Sequence, residues 1–166
     1  MTNSSNAHAS SAQSGVDPRG LRFVAGVTGL LLLVVIGLWL SGLTVAAFIV
    51  LAWITLVFAW GVFIGIRRNP YSVFFRLVIR PRIGAPKELE DATPPTFAQG
   101  MGLVITFVGL ALSLIPGVAL ALPIAAGLAF IAAFLNAVFA YCLGCQAYLL
   151  LVRLGVLGKR SAPAAA

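Results

Sequence analysis

The chain has 166 residues, of which 61% are hydrophobic and only 9% are charged. Soluble globular domains carry about 25% charged residues, so this composition excludes an ordinary soluble domain and indicates a membrane protein. The net charge of +7 would by itself suit a nucleic-acid-binding protein. The basic residues flank the apolar stretches, however, so no nucleic-acid partner is predicted.

Two long stretches, residues 23–66 and 92–152, contain no charged side chain. Each is about twice the ~20 residues that cross a bilayer core as a helix, or longer, so each is expected to fold back as a hairpin. The sequence therefore predicts an all-α membrane protein with four transmembrane helices arranged as two hairpins. The predicted spans are about 21–40, 44–66, 97–114 and 121–145.

The eleven Lys and Arg residues lie before the first span, between the two hairpins and after the last span. None lies in a hairpin turn, so all are on one side of the membrane. The positive-inside rule assigns that side to the cytoplasm, which predicts a multi-pass protein of the cell (inner) membrane with both termini cytoplasmic. Residues 1–16 and 156–166 are predicted to be flexible cytoplasmic tails.

The cytoplasmic linker, residues 67–96, is the one sizeable hydrophilic segment inside the chain. Its apolar residues recur at the spacing of one helix face: Tyr71, Phe74, Phe75 and Val78. This pattern predicts a short amphipathic helix lying in the membrane interface, aromatic side toward the lipid, ended by Pro81.

Several arginines of this linker are candidates for binding an anion: Arg68, Arg76, Arg80 and Arg82. Lipid headgroups are the favoured partner, because a basic segment beside a span attracts anionic lipids. A site for phosphate, sulfate or a sulfur oxyanion is the alternative.

The fourth span is predicted to be one uninterrupted helix from Pro123 to Gly155, because no helix-breaking residue separates them. Such a helix is longer than a bilayer requires, so it must tilt or protrude into the cytoplasm. Asn136 is its strongly polar residue within the membrane. We expect Asn136 to face the bundle and to hydrogen-bond to another helix, in a structural role.

A weak internal repeat relates the two hairpins. Asp17 precedes Phe23 by the same number of residues as Asp91 precedes Phe97, and each motif introduces a pair of spans. The pattern predicts two parallel copies of one hairpin packed into a four-helix bundle.

Both cysteines of the chain lie in Cys142-Leu143-Gly144-Cys145, late in the predicted fourth helix. The pair is expected at the cytoplasmic interface, where reducing conditions favour a dithiol as the resting state. Two such thiols can exchange disulfides, carry a persulfide or supply half of a metal site. No metal and no other cofactor is predicted, since the remaining candidate ligand is His8 in the tail.

The predicted location inside a helix deprives the pair of the positive helix N-terminus that favours the thiolate in thioredoxin-like proteins. Arg153, two turns beyond Cys145, is expected to restore some positive field. Gly144 is expected to loosen the turn enough for a disulfide. The alternative is that two small cysteine side chains only pack in a membrane helix.

Several irregular motifs occur here in the order that characterises one bacterial family. They are Asp17-Pro18-Arg19-Gly20, Arg68-Asn69-Pro70-Tyr71, Arg80-Pro81-Arg82-Ile83-Gly84, Glu88-Leu89-Glu90-Asp91, Leu135-Asn136-Ala137 and Cys142-Leu143-Gly144-Cys145. From about Val16 to Arg153 the chain resembles the mostly actinobacterial integral membrane family labelled domain of unknown function 4395. The resemblance implies thioredoxin-like or sulfurtransferase partners. Relatives often carry Glu where this chain has Gln146, which weakens the catalytic interpretation.

Two hypotheses stay open at this point. The first is a cytoplasm-facing dithiol relay through Cys142 and Cys145, in thiol redox chemistry or sulfur transfer, with a soluble partner docking on the basic linker. The second is a noncatalytic scaffold or small-molecule permeation bundle, in which the arginines bind lipid and the cysteines only pack. The sequence carries no prediction of oligomeric state.

Overall fold

The computed structural model describes residues 15–84, residue 86 and residues 88–156. Most of both predicted tails, together with Lys87, Lys159 and Arg160, lies outside these residues. The described chain is helical, apart from one isolated backbone pairing between Val16 and Glu90. The helices are α1 (Pro18–Leu40), α2 (Thr44–Phe63), α3 (Pro70–Phe74), α4 (Arg80–Ile83), α5 (Thr93–Ser113), α6 (Ala121–Phe139) and α7 (Leu143–Arg153).

Four of these helices, α1, α2, α5 and α6, are long and apolar enough to cross a membrane. Their mean hydropathy reaches 2.5 in α1 and is lowest, at 1.6, in α5. This confirms the predicted all-helical chain with four long apolar helices, as expected of a multi-pass membrane protein.

The four long helices form a ring in the order α1, α2, α5, α6, with the most extensive contacts between α1 and α6 and between α2 and α5. Both hairpin turns, residues 41–43 and 114–120, lie at one end of the bundle, which we call the turn end. The start of α1 meets the end of α6 at the opposite end, where Arg22 donates to the carbonyl of Ala137 at 3.2 Å. We call this opposite end the basic end.

The packed core occupies the half of the bundle nearer the turn end. Its members from α1 and α2 include Leu32, Val35 and Leu51, which are fully buried, and Leu122 and Ala126 complete it from α6. The interior of the basic end is packed differently, because the side chains facing it are mostly small or polar. The two halves of the bundle therefore differ in how much space they enclose.

The linker forms a helix, but Pro81 does not end it as predicted. Residues 70–83 run through α3, a π-helical turn (Phe75–Ile79) and α4, in which Pro81 occupies the first turn. Proline cannot donate to the carbonyl four residues back and its ring clashes there. A wider π-helical turn just before it relieves that conflict and lets the helix continue to Ile83.

The aromatic residues of this helix face two ways. Phe75 is buried against α1, with its ring 5.6 Å from that of Phe23 and directly beneath Gly20. Phe74, by contrast, keeps 52% of its surface exposed. The prediction that the whole aromatic side faces lipid was therefore wrong, because Phe75 packs on the bundle.

The linker is anchored to the bundle by a buried side chain just before its helix. Asn69 is fully buried, and its Nδ2 donates to the carbonyl of Val57, 3.3 Å away in the interior of α2. Its Oδ1 accepts from the backbone N–H of Tyr71 at 3.0 Å and so caps α3. The Tyr71 hydroxyl in turn accepts from the Trp53 indole at 3.0 Å.

The predicted repeat has a structural counterpart at the starts of α1 and α5. Asp17, the N-cap of α1, accepts from Arg19 N, and Asp91, one residue before the N-cap position of α5, accepts from Thr93 N, each at 2.9 Å. The residues just before them, Val16 and Glu90, pair with each other. The short helix after each hairpin packs back on the first helix of that hairpin, as expected of two related halves.

Candidate functional site

The site is created by a break between α6 and α7, which contradicts the prediction of one continuous fourth helix. α6 ends at Phe139, Ala140 adopts a left-handed conformation with φ of 55°, and Cys142 is extended. A left-handed alanine costs about 1–2 kcal/mol, so tertiary contacts must offset this cost. Those contacts are made by α7, which turns away to pack on α5.

The break places the cysteine pair at the N-terminus of α7. Cys142 is the N-cap residue, and its Sγ accepts from the backbone N–H of Cys145 at 3.2 Å. The prediction that the pair lacks a helix N-terminus was therefore wrong. The free N–H groups of this first turn form the positive end of the helix, which stabilises a thiolate at the cap.

Cys142 and Cys145 are joined by a disulfide, with their Cα atoms 5.2 Å apart. The structure thus holds the oxidised form of the pair, whereas a dithiol was expected. Both cysteines are half-buried, while the neighbouring Leu143 and Gln146 are exposed. The disulfide therefore lies in the wall of the protein, between its interior and its surface.

Gly144 fixes how closely α7 approaches α5. A Cβ added at Gly144 would lie 2.5 Å from the Cβ and 2.6 Å from the Cα of Ala98. One turn further along, the rings of Tyr148 and Phe97 are 5.6 Å apart. Gly144 thus allows close helix packing, a role different from the predicted loosening of the turn.

Arg153 is too far from the disulfide to act on it. It is exposed in the last turn of the 11-residue helix α7, about 15 Å from the cap at a rise of ~1.5 Å per residue. The arginine near the pair is Arg22, which donates to the carbonyls of Ala137 and Val138, both at 3.2 Å. Arg22 thereby satisfies two carbonyl groups at the C-terminus of α6.

The linker arginines are not brought to the cysteines. Arg68, Arg76 and Arg82 are exposed and Arg80 is half-buried. They lie on or next to the linker helix, which packs on α1, whereas α7 packs on α5. The structure therefore separates the candidate anion-binding residues from the candidate thiol chemistry.

A cavity of about 450 Å³ fills the interior of the basic end, and the disulfide forms part of its wall. Small residues of the surrounding helices, among them Ala98, Ala132 and Ala133, leave this space open. From Ala140 at its mouth to Leu128 on α6 the cavity extends over twelve residues, about 18 Å along a helix. Its inner end meets the packed core.

Two amide side chains line this cavity, Asn136 on α6 and Gln99 on α5. Gln99 lies against Gly61 of α2, and its Oε1 is buried without a hydrogen-bond partner among the described residues. Asn136 is half-buried, and its side chain makes no hydrogen bond to the described residues, unlike the interhelical bond expected. A buried amide oxygen without a partner is unfavourable, so Gln99 is suited to bind a ligand in the cavity, and Asn136 adds a second amide to its wall.

Arg22 and Gln99 are the residues that the sequence analysis missed. Gln99 carried a signal, since an amide inside an apolar span must find a partner or serve a function. Arg22 carried no such signal, because a basic residue beside the first span already fits the pattern of basic residues that flank the apolar stretches. Within the described part of the chain, His, Cys, Asp and Glu do not gather into a group of three that could hold a metal ion.

Comparison with known proteins identifies a family but adds no characterised relative. Residues 16–153 match the family described as Domain of unknown function (DUF4395). Neither the curated proteins nor the solved structures contain a significant match.

Proposed function

The chain belongs to the family described as Domain of unknown function (DUF4395), and we propose that it is a membrane-bound thiol–disulfide oxidoreductase whose reacting residues are Cys142 and Cys145. The observation that carries the proposal is the position of the disulfide at the N-terminus of α7, half-exposed. A pair that only packs needs neither a helix cap nor access to solvent.

The cap position assigns different roles to the two cysteines. In the reduced protein, Cys142 at the cap is stabilised as a thiolate by the first-turn N–H groups, and is the nucleophile. Its sulfur attacks a partner disulfide, forming a mixed disulfide and releasing one partner thiolate. The Cys145 thiolate then attacks the Cys142 sulfur, which forms the internal disulfide and releases the second partner thiolate.

The partner is a soluble thioredoxin-like or sulfurtransferase protein on the cytoplasmic side. The clustering of basic residues at the end of the bundle that bears the cysteines supports this orientation. The exposed Arg68, Arg76 and Arg82 lie at the same end of the bundle but away from the cysteines, so they add positive charge to the face that a soluble partner approaches and do not contact the disulfide. Gln146 cannot accept a proton as a carboxylate would, so the thiol protons pass to water or to the partner.

A noncatalytic permeation bundle is the second candidate. It requires a continuous path along the bundle, but the cavity of the basic end stops at the packed core around Leu32, Leu51 and Leu122. The permeation bundle is therefore less well supported than the oxidoreductase.

The experiment is to equilibrate the purified full-length protein with glutathione and glutathione disulfide at several ratios, quench with acid, and count free thiols by mass-tagging. We expect a reversible change between zero and two tags. In the Cys145→Ser variant, Cys142 should accumulate as a mixed disulfide with glutathione, because the resolving thiol is missing. Cys142→Ser is the matched control and should accumulate much less.

Two results would reject the proposal. One is a disulfide that glutathione leaves intact in the folded protein at every ratio. The other is equal trapping in the two single variants, since the helix cap would then confer no preference.

A further inference from the structure

We propose that the cavity of the basic end binds the headgroup of a membrane quinone, which oxidises the reduced cysteine pair from inside the bundle. This inference rests on the proposed function, with the thiol–disulfide exchange run in reverse, so that the partner's dithiol reduces the Cys142–Cys145 disulfide and the quinone accepts the electrons from the reduced pair. It assigns a second substrate class and a binding site for it.

The disulfide can be approached from two sides. On its outer side, the exposed Gln146, which does not line the cavity, allows contact with a soluble partner. On its inner side, Cys142 and Cys145 line a cavity enclosed by α1, α5 and α6. A folded protein cannot enter this cavity, so a redox partner on the inner side must be a small molecule, and the mostly apolar lining favours a lipid-soluble one.

The walls of the cavity match a quinone headgroup in chemistry. Most of the wall is apolar, from residues such as Ala98, Ala132 and Ile105, which suits a substituted ring. Gln99 and Asn136 add amide groups that can donate hydrogen bonds to the two quinone carbonyls and accept them from the quinol hydroxyls. The buried Oε1 of Gln99, without a partner among the described residues, gains one from a quinol.

The cavity also matches such a ligand in size and position. Its volume of about 450 Å³ lies within the ~300–1,000 Å³ of small-molecule sites, enough for a quinone ring but not for a long isoprenoid chain. Met101 on α5 and Leu128 on α6 line the cavity and keep 43% and 55% of their surface exposed. The hydrocarbon chain of the quinone would leave the cavity beside these two side chains, between α5 and α6.

The proposed step balances. The two S–H bonds of reduced Cys142 and Cys145 break and the S–S bond between them forms, which releases two electrons and two protons. The quinone takes up both electrons and both protons, and its two carbonyl oxygens become the hydroxyls of the quinol. The soluble partner then reduces the disulfide again and is itself oxidised.

The test uses the full-length protein in detergent micelles, reduced with dithiothreitol and freed of the reductant. Decylubiquinone is added as the probe, because its fully substituted ring does not alkylate thiols. The fall in quinone absorbance and the loss of mass-taggable thiols are followed together. We expect one quinone reduced for each disulfide formed.

Two variants locate the reaction. Ala132→Phe fills the cavity and is expected to abolish quinone-dependent oxidation. Ala111→Phe is the matched control, because Ala111 is exposed near the turn end of α5. This control should react with quinone like the unmodified protein. Gln99→Leu removes the amide and should raise the quinone concentration for half-maximal rate about tenfold, the equivalent of one hydrogen bond. Circular dichroism and the thermal unfolding midpoint show that each variant is folded, and oxidation by glutathione disulfide, which needs only the outer side, should be unchanged.

The outcomes separate the two proposals. If glutathione disulfide oxidises the pair but decylubiquinone does not, or if Ala132→Phe reacts with quinone as fast as Ala111→Phe, the quinone site is rejected and the oxidoreductase stands. If neither oxidant forms the disulfide, both proposals are rejected.

Discussion

Replacing Gly144 by alanine tests whether close packing of α7 on α5 controls access to the disulfide. The new Cβ would lie 2.5 Å from the Cβ and 2.6 Å from the Cα of Ala98, whereas carbon atoms pack best at about 3.5–4.0 Å. The two helices must therefore separate by about 1 Å. Backbone atoms of Ala98 are part of the contact, so no side-chain rotation can relieve it.

The expected free-energy change follows from two opposing effects. Overpacking of this kind costs about 1–3 kcal/mol, and replacing glycine by alanine in a helix returns up to about 1 kcal/mol. The packing of α7 is thus weakened by up to about 2 kcal/mol. If reductant reaches the sulfurs when α7 opens locally, this raises the rate of reduction by up to about 30-fold.

The assay is the rate at which dithiothreitol reduces the disulfide in the folded protein, measured by mass-tagging. Gly100→Ala on α5 is the matched control, because nothing lies within 4 Å of a Cβ at that position. It should leave the rate of reduction unchanged and raise the thermal unfolding midpoint slightly. Equal rates in the two variants would refute the argument that the Gly144–Ala98 contact shields the disulfide.

Two further substitutions test the break before the site and the anchor of the linker. Ala140→Gly should raise the free energy of unfolding by about 1 kcal/mol, since glycine adopts the left-handed conformation (φ 55°) without the cost that alanine bears. Asn69→Ala should lower it by about 1–2 kcal/mol, because the Tyr71 N–H loses its cap and the hydrogen bond to the Val57 carbonyl disappears. Both are measured by denaturant unfolding in detergent.

The contradicting results differ for the two positions. A destabilised Ala140→Gly variant would mean that residue 140 is not left-handed in the folded protein. For Asn69, the variant Asn69→Ser keeps a neutral capping oxygen but loses the amide donor to the Val57 carbonyl. It should therefore retain part of the lost stability, and a loss equal to that of Asn69→Ala would exclude capping as the cause.

The cysteine site shows why its position in the chain was predictable and its chemistry was not. The motif itself is visible in the sequence, as is its place after the last apolar span. The break that turns Cys142 into a helix cap has no local signal, because Phe139, Ala140 and Tyr141 contain no proline or glycine. Only the fit of Gly144 against Ala98 on a distant helix makes that conformation favourable.

The linker illustrates the same limit in a different way. Helical spacing predicted a helix at the right place, but the spacing treats Phe74 and Phe75 as members of one apolar side. The structure separates them by burial, since Phe75 is buried beneath Gly20 of α1, whereas Phe74 stays 52% exposed although its ring stacks on Phe23 at 6.1 Å. The depth of Asn69 likewise depends on a carbonyl of α2 that no local pattern reveals.

The sequence by itself determined the helical class, the number of long apolar helices and the family, because these depend on composition, hydropathy and motif order along the chain. Only the tertiary structure decided that the cysteines cap a separate helix and that a cavity lies behind them. The physical reason is that both features arise from contacts between residues far apart in the chain. In these contacts, the absence of a side chain at Gly144 and the small size of Ala98 and Ala132 matter more than the hydropathy of these residues.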